Sequence, residues 1–176
     1  GIMGLVMSVH PYDPTSKDAM LAAGKKYCSY PQYGLPDKEK YYFRRAILGA
    51  DRLLDYICSR PDWDGEHCVY TGHSQGGAFG LFLTALNKHI TASAVAMPAL
   101  CDQSGRESGR KPGWPSVVKK GDSTRGEAMR YFDGAHFASD IQTPIIFCVG
   151  FVDASCPPSS VYSAYNAVKS PKRIFK

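Results

Sequence analysis

The segment Gly72-His73-Ser74-Gln75-Gly76 constrains the fold more than any other feature of this sequence. An apolar run, Cys68–Tyr70, lies directly before it, and a helix-forming segment, Gln75–Leu86, follows it. A Gly-x-Ser-x-Gly turn between a strand and a helix is typical of the nucleophile elbow, in which a strained backbone projects the serine hydroxyl clear of the sheet. The pattern predicts Ser74 as a nucleophile. The alternative is a glycine-rich turn that carries no chemistry.

Each position of this elbow has an expected mechanical role. Gly72 and Gly76 lie two positions either side of Ser74, where only very small residues are expected to fit. The backbone N–H of Gln75 is expected to point into an oxyanion hole. There it would stabilise the negative charge that develops on a carbonyl oxygen during acyl transfer.

Strand-like and helix-like segments alternate along the chain, which predicts an α/β fold with a mostly parallel sheet flanked by helices. The expected strands are Ile2–Val9, Cys68–Tyr70, Ile90–Met97, Pro144–Gly150 and one that starts at Lys172. The expected helices run from an N-cap at Asp37 to Ser59, over Gln75–Leu86, around Glu127–Phe132, and from Pro157–Pro158 to Val168. The polar stretch Cys101–Gly126 is interpreted as a solvated surface excursion, with a cap over the active site as the alternative.

Asp153 is the second candidate catalytic residue. It follows the apolar run that ends at Gly150, and a parallel strand there delivers it to the carboxyl edge of the sheet, where catalytic groups gather. An acid that comes after Ser74 suits the chain order Ser, Asp, His of this kind of site. Aspartate is also a common turn residue, so the prediction depends on the elbow.

A histidine base is expected after Asp153, but the last histidine of the sequence is His136. Without a base the serine hydroxyl is a weak nucleophile. His136 precedes the acid and as a stand-in base would break the usual chain order, and His73 is expected to pack beneath the elbow. The remaining histidines are expected at the end of the first strand, at the start of the elbow strand and in a short connection: His10, His67 and His89.

Composition argues against several classes of partner. The formal net charge of +5 is spread over short clusters without a recognition motif, so no nucleic-acid partner is expected. No apolar run approaches the roughly 18 residues that a membrane span needs, so no membrane association is expected. The 6 cysteines show no CxxC pair and no zinc-type spacing, so no metal is expected. A disulfide between Cys101 and Cys156 and the cellular compartment both stay open.

Four blocks of sequence carry a resemblance to a known family. They are Tyr41–Arg45, the elbow Thr71–Gly77, Pro98–Asp102, and a last block made of Tyr131–Ala138, Val149-Gly150, Asp153, Cys156–Pro158 and Ser163–Asn166. In these blocks, which occur in the right order, the chain resembles the acetyl xylan esterase and cephalosporin C deacetylase family of α/β hydrolases.

The resemblance implies an α/β-hydrolase fold with Ser74 as nucleophile, Gln75 as an oxyanion-hole amide and Asp153 as the acid that orients a histidine. It also implies deacetylation of small acetylated sugars or xylo-oligosaccharides, as in polysaccharide degradation, without a metal or organic cofactor. Members of the family often form hexamers, so a homo-oligomer is expected.

The resemblance further implies two parts that are not found between Gly1 and Lys176. One is a histidine in a Gly-His motif, just past a strand that corresponds to Lys172–Lys176, and the other is an early His-Gly-Tyr loop that supplies a second oxyanion donor. Residues 1–176 are therefore expected to form a single domain, the C-terminal part of an α/β-hydrolase catalytic domain truncated at both ends. The alternatives are a broad carboxylesterase or peptidase of the same fold, and a non-catalytic binding or scaffold module.

Overall fold

A parallel four-stranded sheet forms the centre of the computed structural model, which describes residues 1–7 and 16–176. Its strands, in spatial and chain order, are β1 Val69–His73, β2 Ala92–Ala96, β3 Ile145–Cys148 and β4 Lys172–Phe175. In register, Thr71 of β1 lies beside Ala94, which lies beside Ile146 of β3 and then Arg173 of β4. The parallel α/β fold predicted from the alternation of segments is confirmed.

Helices connect the strands within the described residues. They are α1 Lys17–Lys26, α2 Tyr42–Cys58, α3 Gln75–Leu86, α4 Ser123–Arg130, α5 Gly134–Ala138 and α6 Pro158–Ala167, with 3-10 turns at Tyr30–Gln32 and Gln103–Ser108. The predicted bounds of α3 are confirmed, and α6 begins at the predicted proline pair and ends at Ala167, one residue before the predicted Val168. Of these helices, none has the length and apolar character that crossing a membrane requires.

Helix α2 begins at Tyr42, five residues after the predicted N-cap at Asp37, so that prediction is wrong. The Asp37 carboxylate accepts a hydrogen bond from the backbone N–H of Glu39 at 2.9 Å, and its carbonyl oxygen accepts one from Lys40 at 3.1 Å. Asp37 therefore closes a separate turn before the helix. The predicted end of the helix is confirmed, since Ser59 is its C-cap.

Residues 1–7 form no strand, in contrast to the prediction for Ile2–Val9, of which Ser8 and Val9 lie outside the described residues. Ile2 and Val6 are 101% and 96% exposed, and Met7 packs against the core. A strand is stable only where a neighbouring strand accepts its backbone hydrogen bonds. None of the described strands pairs with residues 1–7, so the apolar composition alone does not produce a strand there.

Helix α3 is the centre of the hydrophobic core. Its residues Gly77–Thr84 are buried on all sides, because α3 packs on β1 and β2 with one face and on α2 and α5 with the others. Gly80 permits the close approach to the sheet: a Cβ atom at this position would lie 2.6 Å from Cγ1 of Val95. This packing fixes the N-terminus of α3, and with it the elbow, relative to the sheet.

The stretch Cys101–Gly126 is more than a solvated excursion, and that interpretation is corrected. Asp102 and Gln103 are buried. The buried Asp133 carboxylate, at the N-cap of α5, accepts hydrogen bonds from the backbone N–H groups of Asp102 at 2.9 Å and Gln103 at 2.7 Å. The Asp102 carboxylate in turn accepts two hydrogen bonds from Arg110, both at 2.8 Å. The polar side chains of this stretch thus anchor it to the body of the molecule.

Candidate active site

Ser74 lies in the turn between β1 and α3 with φ 53° and ψ −115°. A positive φ at a non-glycine residue is sterically costly and persists only where the surroundings fix it. Here three backbone hydrogen bonds do so. The Ser74 N–H donates to the carbonyl oxygen of Ala96 at 2.9 Å, and the Ser74 carbonyl oxygen accepts from Ala78 at 3.0 Å and Ala99 at 2.9 Å. The strained turn therefore joins β1, β2 and α3 at the carboxyl edge of the sheet.

The glycines of the elbow have unequal steric roles. A Cβ atom at Gly72 would lie 2.4 Å from the carbonyl oxygen of Gly76, so no larger residue fits there. At Gly76 a Cβ atom would meet nothing within 4 Å, so an alanine fits this position. The next residue, Gly77, is crowded like Gly72, since an added Cβ atom would lie 2.9 Å from the carbonyl oxygen of Ala96. In the sequence, the signal for this second crowded glycine is the Gly76-Gly77 pair.

Gln75 is the first residue of α3, directly after the strained serine. The first N–H groups of a helix have no intrahelical acceptor, so the backbone N–H of Gln75 is free to bind an external oxygen. Its side chain is held: the Tyr30 hydroxyl donates a hydrogen bond to Oε1 of Gln75. Burial, with a smaller contribution from Tyr42, raises the pKa of Tyr30 to about 12, so the phenol stays protonated and acts as the donor at neutral pH.

Asp153 lies in the turn that follows β3. One carboxylate oxygen, Oδ1, accepts hydrogen bonds from the backbone N–H groups of Ser155 at 2.7 Å and Cys156 at 2.9 Å. The other, Oδ2, has no hydrogen-bond partner among residues 1–7 and 16–176. The turn therefore fixes the carboxylate through one oxygen and leaves the second available.

The turn of Asp153 reaches the elbow through Cys156. Burial raises the pKa of the Cys156 thiol, the nearby Trp114 backbone N–H opposes the rise, the Asp153 carboxylate adds to it, and the Ser74 hydroxyl opposes it. The nucleophile candidate and the acid turn thus share a buried neighbour. Cys101 and Cys156 are both buried free thiols, so the structure holds no disulfide between them.

Trp114 forms a wall beside these two turns. Its backbone N–H donates a hydrogen bond to the carbonyl oxygen of Ser155 at 2.8 Å, and its carbonyl oxygen accepts one from the backbone N–H of Leu100 at 2.6 Å. Its ring lies 5.9 Å from the ring of Tyr30 and 6.3 Å from that of Phe43, centroid to centroid. Sequence reasoning missed both Tyr30 and Trp114. The available signal was an aromatic residue before a proline, in Tyr30-Pro31 and Trp114-Pro115.

Two histidines that the sequence analysis considered for the active site, His73 and His136, form no hydrogen bond with Ser74 or Asp153 in the described residues. His73 is exposed and does not pack beneath the elbow, because strand alternation puts it on the same face of β1 as exposed Val69. His136 is also exposed, and it lines a cavity of about 270 Å³ that neither Ser74 nor Asp153 borders. The other residues around that cavity are Ser104, Glu107, Ser108, Gly126, Glu127 and Arg130.

The remaining described histidines have structural neighbours. His67 Nδ1 lies 2.8 Å from the Asp64 carboxylate, and this hydrogen bond raises the pKa of the imidazole. His89 lies in the predicted short connection, 4.0 Å from Asp55. His10 lies outside the described residues. None of the histidines that the structure describes hydrogen-bonds to Ser74 or Asp153, and in the same part of the chain no group of three or more potential metal ligands occurs.

Comparisons with known proteins identify relatives of this chain. The family model of acetyl xylan esterase (AXE1) matches residues 1–106 and 119–175. The acetyl esterase Axe7A of Xylanibacter ruminicola is 32% identical over 179 residues, which cover 98% of this chain and 41% of that protein.

Two solved structures have the same fold. The acetyl xylan esterase from Paenibacillus sp. R4 is 27% identical, with a TM-score of 0.71 over 84% of this chain and 52% of that chain. Acetyl xylan esterase 1 from Thermoanaerobacterium sp. JW/SL YS485 is 24% identical, with a TM-score of 0.70 over 83% of this chain and 50% of that one. The chain therefore covers 41% of the length of the acetyl esterase and about half the length of the two solved relatives.

Proposed function

Because the chain belongs to the acetyl xylan esterase family of α/β hydrolases, we propose that it carries the nucleophile and the acid of a serine esterase. The proposed reaction is removal of acetyl groups from small acetylated sugars or xylo-oligosaccharides. The observation that carries the proposal is Ser74 at φ 53° between β1 and α3, held there by backbone hydrogen bonds to two other segments. Strained backbone of this kind clusters at active sites, where it is part of the mechanism.

The reaction divides into two acyl transfers. In the first, the Ser74 hydroxyl attacks the acetyl carbonyl carbon while a base removes its proton. Collapse of the tetrahedral intermediate, with return of that proton to the sugar oxygen, releases the sugar alcohol and leaves acetyl-Ser74. In the second, water gives a proton to the base as it attacks the acetyl ester, and return of that proton to the Ser74 oxygen releases acetate and restores the hydroxyl. In both, the negatively charged oxygen faces the backbone N–H of Gln75, and one such donor contributes about 10²–10³-fold to kcat.

Asp153 is proposed to orient the base. The strands β1 and β3 are separated by β2 alone, so the turns that follow them lie two strand spacings apart, about 10 Å. This separation leaves room for one imidazole ring between Ser74 and Asp153. Oδ2 of Asp153 has no partner in the described part of the chain and is suited to accept the Nδ1–H of that ring, which fixes its tautomer. The base itself is not assigned to any described residue.

The test is hydrolysis of 4-nitrophenyl acetate and of acetylated xylo-oligosaccharides by the natural full-length protein. We expect Ser74→Ala to lower kcat by at least about 10³-fold. Ser104→Ala, which borders the cavity near His136, serves as the matched control and retains full activity. Activity that survives in Ser74→Ala excludes the proposed nucleophile.

The same assay separates the alternative functions. Faster hydrolysis of butyryl esters or anilides than of acetyl esters identifies a broad carboxylesterase or a peptidase. Binding of xylo-oligosaccharides without hydrolysis of any ester identifies a binding module. If activity depends on Ser74, His136→Ala then tests whether that histidine acts as the base. We expect no effect, because the cavity that His136 lines is not bordered by Ser74.

A further inference from the structure

We propose that Tyr30 is a positioning residue for the oxyanion hole, acting through the side chain of Gln75. The inference rests on the proposed function of Ser74 and Gln75 and extends it to a segment that no part of the elbow motif includes. Its starting point is the hydrogen bond that the Tyr30 hydroxyl donates to Oε1 of Gln75, between residues 45 positions apart in the sequence.

Tyr30 is held rigidly enough to act as an anchor. Its ring lies 5.1 Å from that of Tyr42, 5.8 Å from that of Phe43 and 5.9 Å from that of Trp114. The 3-10 turn that it begins is fixed as well, because the hydroxyl of fully buried Tyr41 donates to the carbonyl oxygen of Pro31 at 3.0 Å. A side chain packed among three rings and tied to the core loses little further entropy when it holds Gln75.

Gln75 transmits this restraint to the reacting oxygen. Its Cα atom is bonded both to the anchored side chain and to the backbone nitrogen whose N–H faces the oxyanion, so a hydrogen bond at the end of the side chain limits the movement of that N–H. The residue before it, Ser74, has a strained backbone that persists only where its surroundings fix it. The hydrogen bond from Tyr30 adds to the backbone hydrogen bonds that hold this turn, and it keeps the N–H aimed where charge develops.

Tyr30 also connects the elbow to the acid turn. Its ring packs against the ring of Trp114, and the backbone N–H of Trp114 donates to the carbonyl oxygen of Ser155 at 2.8 Å. The backbone N–H of Ser155 in turn donates to Oδ1 of Asp153 at 2.7 Å. One aromatic pair therefore links the two catalytic turns, whose separation the sheet sets. An active site needs its groups held within about 0.5 Å of the productive geometry.

The experiment compares Tyr30→Phe with Tyr33→Phe in the natural full-length protein. Tyr33 is the matched control, since it follows the same 3-10 turn but its hydroxyl donates to the carbonyl oxygen of Lys26 at 2.8 Å. For Tyr30→Phe we expect kcat for 4-nitrophenyl acetate to fall about threefold to tenfold, the kinetic equivalent of one neutral hydrogen bond, with KM unchanged. Inhibition by a trifluoromethyl ketone, which forms a tetrahedral oxyanion on serine, weakens by the same factor. We expect neither change in Tyr33→Phe.

A double-mutant cycle separates positioning from a general structural role. In a Gln75→Ala background, which keeps the backbone N–H, removal of the Tyr30 hydroxyl has no further effect if Tyr30 acts through the Gln75 side chain. The proposal is overturned if Tyr30→Phe keeps kcat within about twofold of the parent. It is also overturned if the loss is equally large in the Gln75→Ala background.

A second readout makes failure of the inference distinct from failure of the proposed function. Covalent labelling of Ser74 by a fluorophosphonate also places an oxygen in the oxyanion hole, and mass spectrometry gives its rate without any acetyl substrate. If acetyl esters are not hydrolysed but Ser74 is labelled, the proposed substrate is wrong, and slower labelling of Tyr30→Phe still supports the inference. If Ser74 is not labelled at all, both are overturned.

Discussion

At the scale of the residue, two glycines of one motif have opposite steric surroundings. Gly72 has no room for a Cβ atom, because it would lie 2.4 Å from the backbone oxygen of Gly76, whereas nothing lies within 4 Å of a Cβ atom at Gly76. We expect Gly72→Ala to push the elbow apart, to lower the melting temperature and to abolish fluorophosphonate labelling of Ser74.

Gly76→Ala is the matched control for that substitution. Gly76 lies in α3, where alanine favours the helix by about 0.5–1 kcal/mol over glycine. We therefore expect a slightly raised melting temperature and unchanged labelling. Equal loss of labelling in the two variants would contradict the steric difference between the two positions.

At the scale of the element, the buried Asp133 carboxylate joins the stretch Cys101–Gly126 to α5. Its two oxygens accept hydrogen bonds from the backbone N–H groups of Asp102, Gln103 and Ala135 at 2.7–3.0 Å. Asp133→Ala leaves these donors without a partner, and we expect a loss of about 2–4 kcal/mol in the free energy of unfolding, measured with urea. Asp140→Ala, at an exposed aspartate on the other side of α5, is expected to change it by less than about 0.5 kcal/mol.

The same elements show how far the sequence predicts this fold. The bounds of α3 follow from local chemistry, since an apolar helical run begins directly after the elbow serine and ends at Leu86. The start of α2 depends instead on a competing interaction, because Asp37 closes a separate turn before the helix. The burial of polar Asp102 depends on a distant partner, the Asp133 carboxylate. Ser74 and Asp153 are predictable as candidates because Ser74 directly follows β1 and Asp153 comes five residues after the end of β3. Tyr30 is not predictable in this way, because its partner lies 45 residues away and no local pattern reports such a contact.

At the scale of the whole molecule, one face of the sheet stays open within the described residues. Strand alternation and register put Val69, Ile146 and Phe175 on this face, where they are 68%, 43% and 55% exposed, opposite the face that α3 covers. Large apolar side chains exposed on a sheet face favour association with other apolar surfaces. We expect the 176-residue chain, expressed by itself, to self-associate in a concentration-dependent way in sedimentation velocity experiments.

The contribution of the sheet face to this association is testable with one added charge. Ile146→Lys places an ammonium group in the middle of the open face, and we expect it to shift the sedimentation profile towards the monomer, because burying an unpaired charge in an apolar contact is unfavourable. Leu48→Lys is the matched control: Leu48 is 44% exposed on α2, away from the sheet, and the same substitution there should leave association unchanged. A chain that sediments as a monomer at every concentration would show that the exposed strand residues do not drive association. Equal shifts in both variants would assign the association to net charge, which each substitution changes by the same amount.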